Sequence, residues 1–150
     1  MKEAIKLEKE IRGLLATQRF AVLSTQEPDH PYLSLVAYAE SGDLRTILFA
    51  TTRATRKYQN ILSHSGVALL VDNRSNEAAD IREAVAVTII GRAYEVPQSD
   101  REGLERIYLE KQPHMMEFLS APLTAFIKVN VESYVLVSRF QEVAILNLKT

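Results

Sequence analysis

Leu44-Arg45-Thr46-Ile47-Leu48-Phe49-Ala50-Thr51-Thr52, followed without a break by Arg53-Ala54-Thr55-Arg56-Lys57-Tyr58-Gln59-Asn60-Ile61-Leu62, is the stretch on which the reading of this chain turns. β-Branched and aromatic residues dominate the first run, which predicts a strand. Tyr58, Ile61 and Leu62 give the second run an apolar face at helical spacing. A strand therefore feeds directly into a helix N-terminus.

That junction carries the wrong charge for a helix start. A helix N-terminus bears about half a positive charge, and an acid in the first turn normally stabilises it by about 0.3–1 kcal/mol. Here Arg53, Arg56 and Lys57 crowd the same end, and no acid occurs between Asp43 and Asp72. Free backbone N–H groups, three cations and the hydroxyls of Thr51, Thr52 and Thr55 together describe a phosphate cradle, because every one of them can donate. A solvated basic face with Thr55 as an ordinary N-cap fits the same residues. The residues alone leave both readings open.

Composition narrows the field. With 150 residues, 47% hydrophobic and 25% charged, the chain suits one globular domain over residues 1–150. Its net charge of −1 sets up no global field for nucleic acid or an anionic membrane, so any anion site must be local. The absence of cysteine excludes disulfides, thiolate metal sites and cysteine nucleophiles. Met1 to Thr17 mixes Lys and Glu throughout, so neither a signal peptide nor a membrane span is expected there, and a cytoplasmic protein is the simplest expectation.

Working outward from the central stretch, Lys2–Thr17 reads as an amphipathic helix carrying Ile5, Leu7, Ile11, Leu14 and Leu15. Phe20–Thr25 reads as a strand, Glu27–Pro31 as a two-proline turn and Tyr32–Ala39 as a second strand. Glu40–Asp43 is a short hairpin-type turn into the central strand. Beyond the basic helix, Gly66–Asp72 is a buried strand and Asn73–Glu83 a polar loop with room for one helical turn. Ala84–Val96 is the longest strand, where Gly91 permits a bulge or bend.

Ser99 and Glu102 match a capping box, which predicts a helix to about Lys111. A short helix follows from Pro113 to Leu119, and strands are expected at Thr124–Val131, Tyr134–Val137 and Glu142–Leu148. About seven short strands joined by tight turns imply an antiparallel sheet that closes on itself to hide its edges. The expected fold is mostly β with flanking helices, a small antiparallel barrel.

Several chemistries find no support. His30, His64 and His114 are scattered in or beside turns with no HxxxH or HxH pair, although a lone histidine could still ligate a haem iron. There is no GxSxG elbow and no GxGxxG loop. Met115 and Met116 beside Phe118 and Leu119 read as core or interface filling. Basic residues interleaved with aromatics are confined to residues 53–58, too short a run to track a nucleic-acid strand.

The motif Phe49-Ala50-Thr51-Thr52-Arg53-Ala54-Thr55-Arg56-Lys57 resembles the strand end and Ser/Thr-Arg-Lys phosphate motif of the FMN-binding split-barrel proteins related to pyridoxamine 5′-phosphate oxidase. Pro31–Ala37 and Val87–Ala93 support the resemblance, which runs from about Arg12 to Val137. It implies a split β-barrel in which Thr55, Arg56 and Lys57 hold the FMN phosphate. Thr51 and Thr52 would contact the ribityl chain or ring edge, and backbone groups of Ser34, Leu35, Val36 and Ala37 would line the isoalloxazine. It further implies a homodimer with the flavin at the subunit interface.

Departures from the family pattern are equally specific. Ser34 stands where pyridoxamine phosphate oxidases carry an Arg, Ala39 where they carry a substrate-binding Lys, and Ser138-Arg139-Phe140 lacks the histidine of their C-terminal motif. Vitamin B6 oxidation is disfavoured on this ground, while flavin binding is not. The expectation is an FMN-dependent oxidoreductase acting on an unidentified small substrate or electron-transfer partner. An FMN-binding electron carrier with no substrate of its own is the alternative, as is the same fold holding haem or a deazaflavin; no catalytic acid or base can be named.

Overall fold

The computed structural model describes residues 1–148. In chain order its main elements are α1 (Lys2–Thr17), β1 (Phe20–Gln26), β2 (Pro31–Ala37), β3 (Ala39–Glu40), β4 (Thr46–Thr52), α2 (Arg56–Ser63) and β5 (Gly66–Asp72). They continue with α3 (Asp80–Glu83), β6 (Ala86–Glu95), α4 (Arg101–Lys111), α5 (Met116–Ser120), β7 (Thr124–Ser138) and β8 (Glu142–Asn147). The strands form one antiparallel sheet in the order β2-β1-β5-β6-β7-β4-β3, with β8 added to β7.

That order explains the barrel. β2 and β3 are separated only by Tyr38, yet they stand at opposite ends of the strand order. The sheet must therefore curl until its two ends meet. Cα atoms of β2 and β4 come within 8 Å of each other across the resulting split. Inside lies the main core, to which α1 contributes Ile11, Leu14 and Leu15, β4 contributes Ile47 and Phe49, and α2 contributes Tyr58 and Ile61. A smaller core on the outer side of β4 and β7 packs Leu48 and Phe126 against Tyr108 and Leu119 of α4 and α5.

Several sequence expectations need correction. The strand expected over Tyr32–Ala39 breaks at Tyr38, because Ala39 and Glu40 leave β1 to pair with Leu48 and Ile47 of β4. The two strands expected at Thr124–Val131 and Tyr134–Val137 are one, β7, whose buried positions run Ile127, Val129 and Val131 and then slip by one residue to Tyr134 and Leu136, because Glu132 is an extra residue opposite Ile90/Gly91. β6 follows β7 along most of its length by a register shift at Ile90/Gly91, where a Cβ on Gly91 would run into the Asn130 carbonyl oxygen.

The capping box does not form. Gln98–Asp100 make a 3₁₀ turn, and Asp100 precedes α4 with a helical backbone and no side-chain cap bond. A residue held in the helical region cannot aim its side chain back at the helix N–H groups as an extended N-cap does. Ile5, expected on the apolar face of α1, is exposed. No helix of the described residues is long and apolar enough to cross a membrane.

Candidate functional site

Residues from four elements meet at the start of α2. Thr55 is its N-cap in extended conformation, and its hydroxyl accepts a hydrogen bond from Tyr58 N–H at 3.3 Å and donates to the Thr52 carbonyl at 3.0 Å. The Thr51 and Thr55 hydroxyls lie 2.8 Å apart. The backbone N–H groups of Arg56 and Lys57 occupy the first helical positions, where no carbonyl of the helix can reach them.

The three cations have different fates. Arg53 is built into the fold: its guanidinium pairs with Glu95 at the end of β6 and donates to the Pro122 carbonyl at 3.1 Å. Glu95 also accepts from the Tyr58 hydroxyl at 2.6 Å. Burial pushes the Glu95 carboxyl up, but the Tyr58 hydroxyl and Arg53 outweigh it and hold it below the usual carboxylate range. Arg53 therefore has an acid partner that the local sequence does not show.

Arg56 has a looser partner. Its Nε lies 3.3 Å from Glu27 Oε2 in the β1–β2 turn, and its guanidinium stacks over the Tyr32 ring of β2 at 4.9 Å. The Arg56 side chain nevertheless remains 63% exposed. Lys57 differs from both. It is half-buried, burial alone pushes its ammonium below the ordinary lysine value, and no carboxylate among the described residues pairs with it. The sequence-local picture of three unopposed cations thus becomes one paired, one weakly paired and one unopposed.

The expected ring-side residues lie on β2, the end strand of the sheet, whose outer edge has no ladder partner. Tyr32, Ser34 and Val36 share its inner face, while Leu33 and Leu35 point outward and are 63% and 67% exposed. Ser34 follows Tyr32 by two residues, about 7 Å further along the strand from the Arg56 stack. Its hydroxyl is buried and has no hydrogen-bond partner.

Val36 is fully committed to the core. Ala37 gives its carbonyl to the Tyr108 hydroxyl at 3.0 Å, an interaction that no local pattern announces. Thr51 and Thr52 lie on opposite faces of β4: Thr51 is buried on the barrel side with Phe49, and Thr52 is half-exposed on the α4 side. The structure thus places Thr51, Thr55, Arg56 and Lys57 together at the start of α2, with Tyr32 of β2 against Arg56, while the side chains of Thr52 and Leu35 point to the other faces of their strands.

Glu95 is the supporting residue that the sequence does not reveal; Arg53 shows there only as a cation without its acid partner, and Tyr58 only as part of an apolar helix face. The histidines are all exposed, and no group of three or more acids or histidines among the described residues is arranged to hold a metal.

Comparisons with known proteins bear on the fold and the family. No curated protein matches the chain significantly. Among solved structures, a haem-binding protein from Mycobacterium smegmatis superposes with a TM-score of 0.81 at 14% identity, covering 92% of this chain and 56% of its own. An FAD-binding protein from Mesorhizobium loti gives 0.71 at 18% identity over 86% of this chain and 90% of its own. A Clostridium acetobutylicum protein related to general stress protein 26, of the pyridoxinephosphate oxidase family, gives 0.73 at 12% identity over 95% of both chains.

These likenesses show the fold, with this chain spanning little more than half the length of the mycobacterial protein. The model of the pyridoxamine 5′-phosphate oxidase family matches residues 7–138, a span that includes the Thr55-Arg56-Lys57 cradle and all strands of the barrel except β8. The chain belongs to the pyridoxamine 5′-phosphate oxidase family.

Proposed function

We propose that this protein binds FMN at the start of α2 and along β2, and acts as a flavin-dependent oxidoreductase. The observation that carries the reading is Lys57, an unopposed cation pushed down by burial, beside two free helix N–H groups and the Thr51/Thr55 hydroxyl pair. A half-buried ammonium without a counter-charge is unfavourable, and a bound phosphate removes that cost. The unpartnered Ser34 hydroxyl and the free edge of β2 supply donors and acceptors for a polar ring lying further along the split.

Bound flavin would supply hydride and electron transfer, and the protein would hold the ring and control access to it. Arg56 and Lys57 neutralise the phosphate, Thr55 fixes the helix start that presents them, and Tyr32 holds the Arg56 side chain beside that helix start. Ser34 in place of an Arg and Ala39 in place of a Lys leave no cationic pair for a second phosphorylated substrate on β2 and β3. The substrate is therefore something other than a B6 phosphate, or a protein electron partner.

A homodimer with the flavin between subunits suits the outer face of the sheet. Leu35, Val22, Leu70, Thr88, Val135 and Ile145 follow one another across six strands in register, giving a largely apolar row with Leu35 and Ile145 well exposed. Exposed apolar rows of this extent suit protein contacts.

The visible spectrum of the protein as purified tests the reading. A flavin doublet with FMN released on denaturation is the expected result. Colourless protein that takes up no added FMN, a Soret band, or a single deazaflavin band contradicts it. Turnover with NADH or NADPH and simple acceptors then distinguishes an enzyme from an electron carrier, which shows negligible turnover alone.

A further inference from the structure

We propose that Glu27 is a resident counter-ion of the cradle, which occupies Arg56 until the phosphate of a phosphomonoester displaces it. The inference rests on the reading of the cradle as a phosphate site and adds the group against which the phosphate competes.

Two acids reach the basic helix start from distant parts of the chain, and they do so in different ways. Glu95 is held from both sides, by the Tyr58 hydroxyl and by Arg53, and belongs to the permanent structure. Glu27 meets Arg56 through a single Nε contact at 3.3 Å, and the guanidinium remains largely in solvent. An exposed, single-contact ion pair adds little to stability. It is also easily exchanged for a better anion.

Glu27 is nonetheless kept close. Its turn is closed by the Glu27 N–H donating to the His30 carbonyl at 3.1 Å, and Gln26 beside it donates to the Gly66 carbonyl at 3.0 Å. Pro28 and Pro31 stiffen the same turn. The Glu27 side chain is only 22% exposed, so its carboxylate stays over the helix start instead of drifting into solvent. The Tyr32 stack holds Arg56 from the other side.

A phosphomonoester brings about 1.5–2 negative charges near neutral pH and three strong acceptor oxygens, more than one carboxylate offers. It meets Lys57, which has no competitor, and gains Arg56 only by separating it from Glu27. Removing the Glu27 charge must then strengthen binding of the phosphate, through Arg56, and leave the rest of the ligand unaffected.

Titration of the ligand-free protein with FMN and with riboflavin, followed by flavin fluorescence, tests this in wild type, Glu27→Gln, Arg56→Gln and the double variant. Glu27→Gln is expected to bind FMN several-fold more tightly with unchanged riboflavin affinity, and the gain is expected to vanish when Arg56 is already Gln. Unchanged or weaker FMN binding by Glu27→Gln, an equal gain for riboflavin, or a gain that persists without Arg56 would overturn the proposal while leaving the cradle intact. If wild type does not prefer FMN to riboflavin, the cradle reading itself fails, and the counter-ion role with it.

Discussion

Lys57 is the residue whose energetics separate a binding site from an ordinary basic surface. Its ammonium is pushed down by burial with no facing acid among the described residues, so on the proposed reading it costs stability without ligand and with phosphate would make a charge-assisted contact worth about 1.5–3 kcal/mol. Lys57→Met should therefore raise the melting temperature of the ligand-free protein and weaken FMN binding about tenfold to a hundredfold. Calorimetry on both states checks it, and a lower melting temperature for the ligand-free variant would mark Lys57 as structural. Glu95 gives a second residue-scale prediction. Its carboxyl is held below its ordinary value of 4.5, so the folded state binds fewer protons than the unfolded chain. Its stabilisation is complete above the ordinary value and disappears as pH falls through the lower folded one. Melting temperatures of wild type and Glu95→Gln should differ near pH ~7 and converge below about pH 4. The cations were legible in the sequence at this scale. Their partners were not, because Glu27 and Glu95 reach the helix start only through the pairing of β1, β5 and β6.

At the scale of elements, local signals succeeded where the chain decides locally and failed where tertiary pairing decides. The Thr55 cap and the strand feeding α2 could be read from side-chain type and period. The break at Tyr38 could not: Val36, Tyr38 and Ala39 are all buried, so nothing in the pattern marks where the chain leaves one edge of the sheet for the other. Polar Asn130, Glu132 and Ser133 interrupt the apolar pattern of β7, yet its pairing with β6 runs past them through the shift at Ile90/Gly91, which leaves Glu132 as an extra residue. Gly91 is the device that permits this close approach, since any Cβ would meet the Asn130 carbonyl. Gly91→Ala should accordingly destabilise the protein by about 1–3 kcal/mol, the usual effect of forcing atoms into a packed position. Urea denaturation measures it, and a change within about 0.5 kcal/mol would show that β6 and β7 can separate freely there.

For the whole molecule, one sheet folded on itself accounts for where the site lies. The chain step from β2 to β3 forces the sheet's ends together, and Tyr32 on the inner face of β2 reaches Arg56 at the start of α2. The outer face of the same strand carries Leu33 and Leu35, so a partner subunit docked there would reach the rim of the proposed flavin site. Leu35→Glu puts a charge into the outward apolar row and should convert the proposed dimer to a monomer in sedimentation equilibrium, with weaker FMN retention. A variant that stays dimeric would place the subunit contact elsewhere. The claim underlying the rest is that the start of α2 exists to hold a phosphate. The affinity ratio of FMN to riboflavin for the ligand-free protein, measured by isothermal titration, tests it most directly. The account predicts FMN tighter by at least about tenfold, the effect of one charge-assisted contact of about 1.4 kcal/mol or more; equal affinity for the two flavins would contradict it.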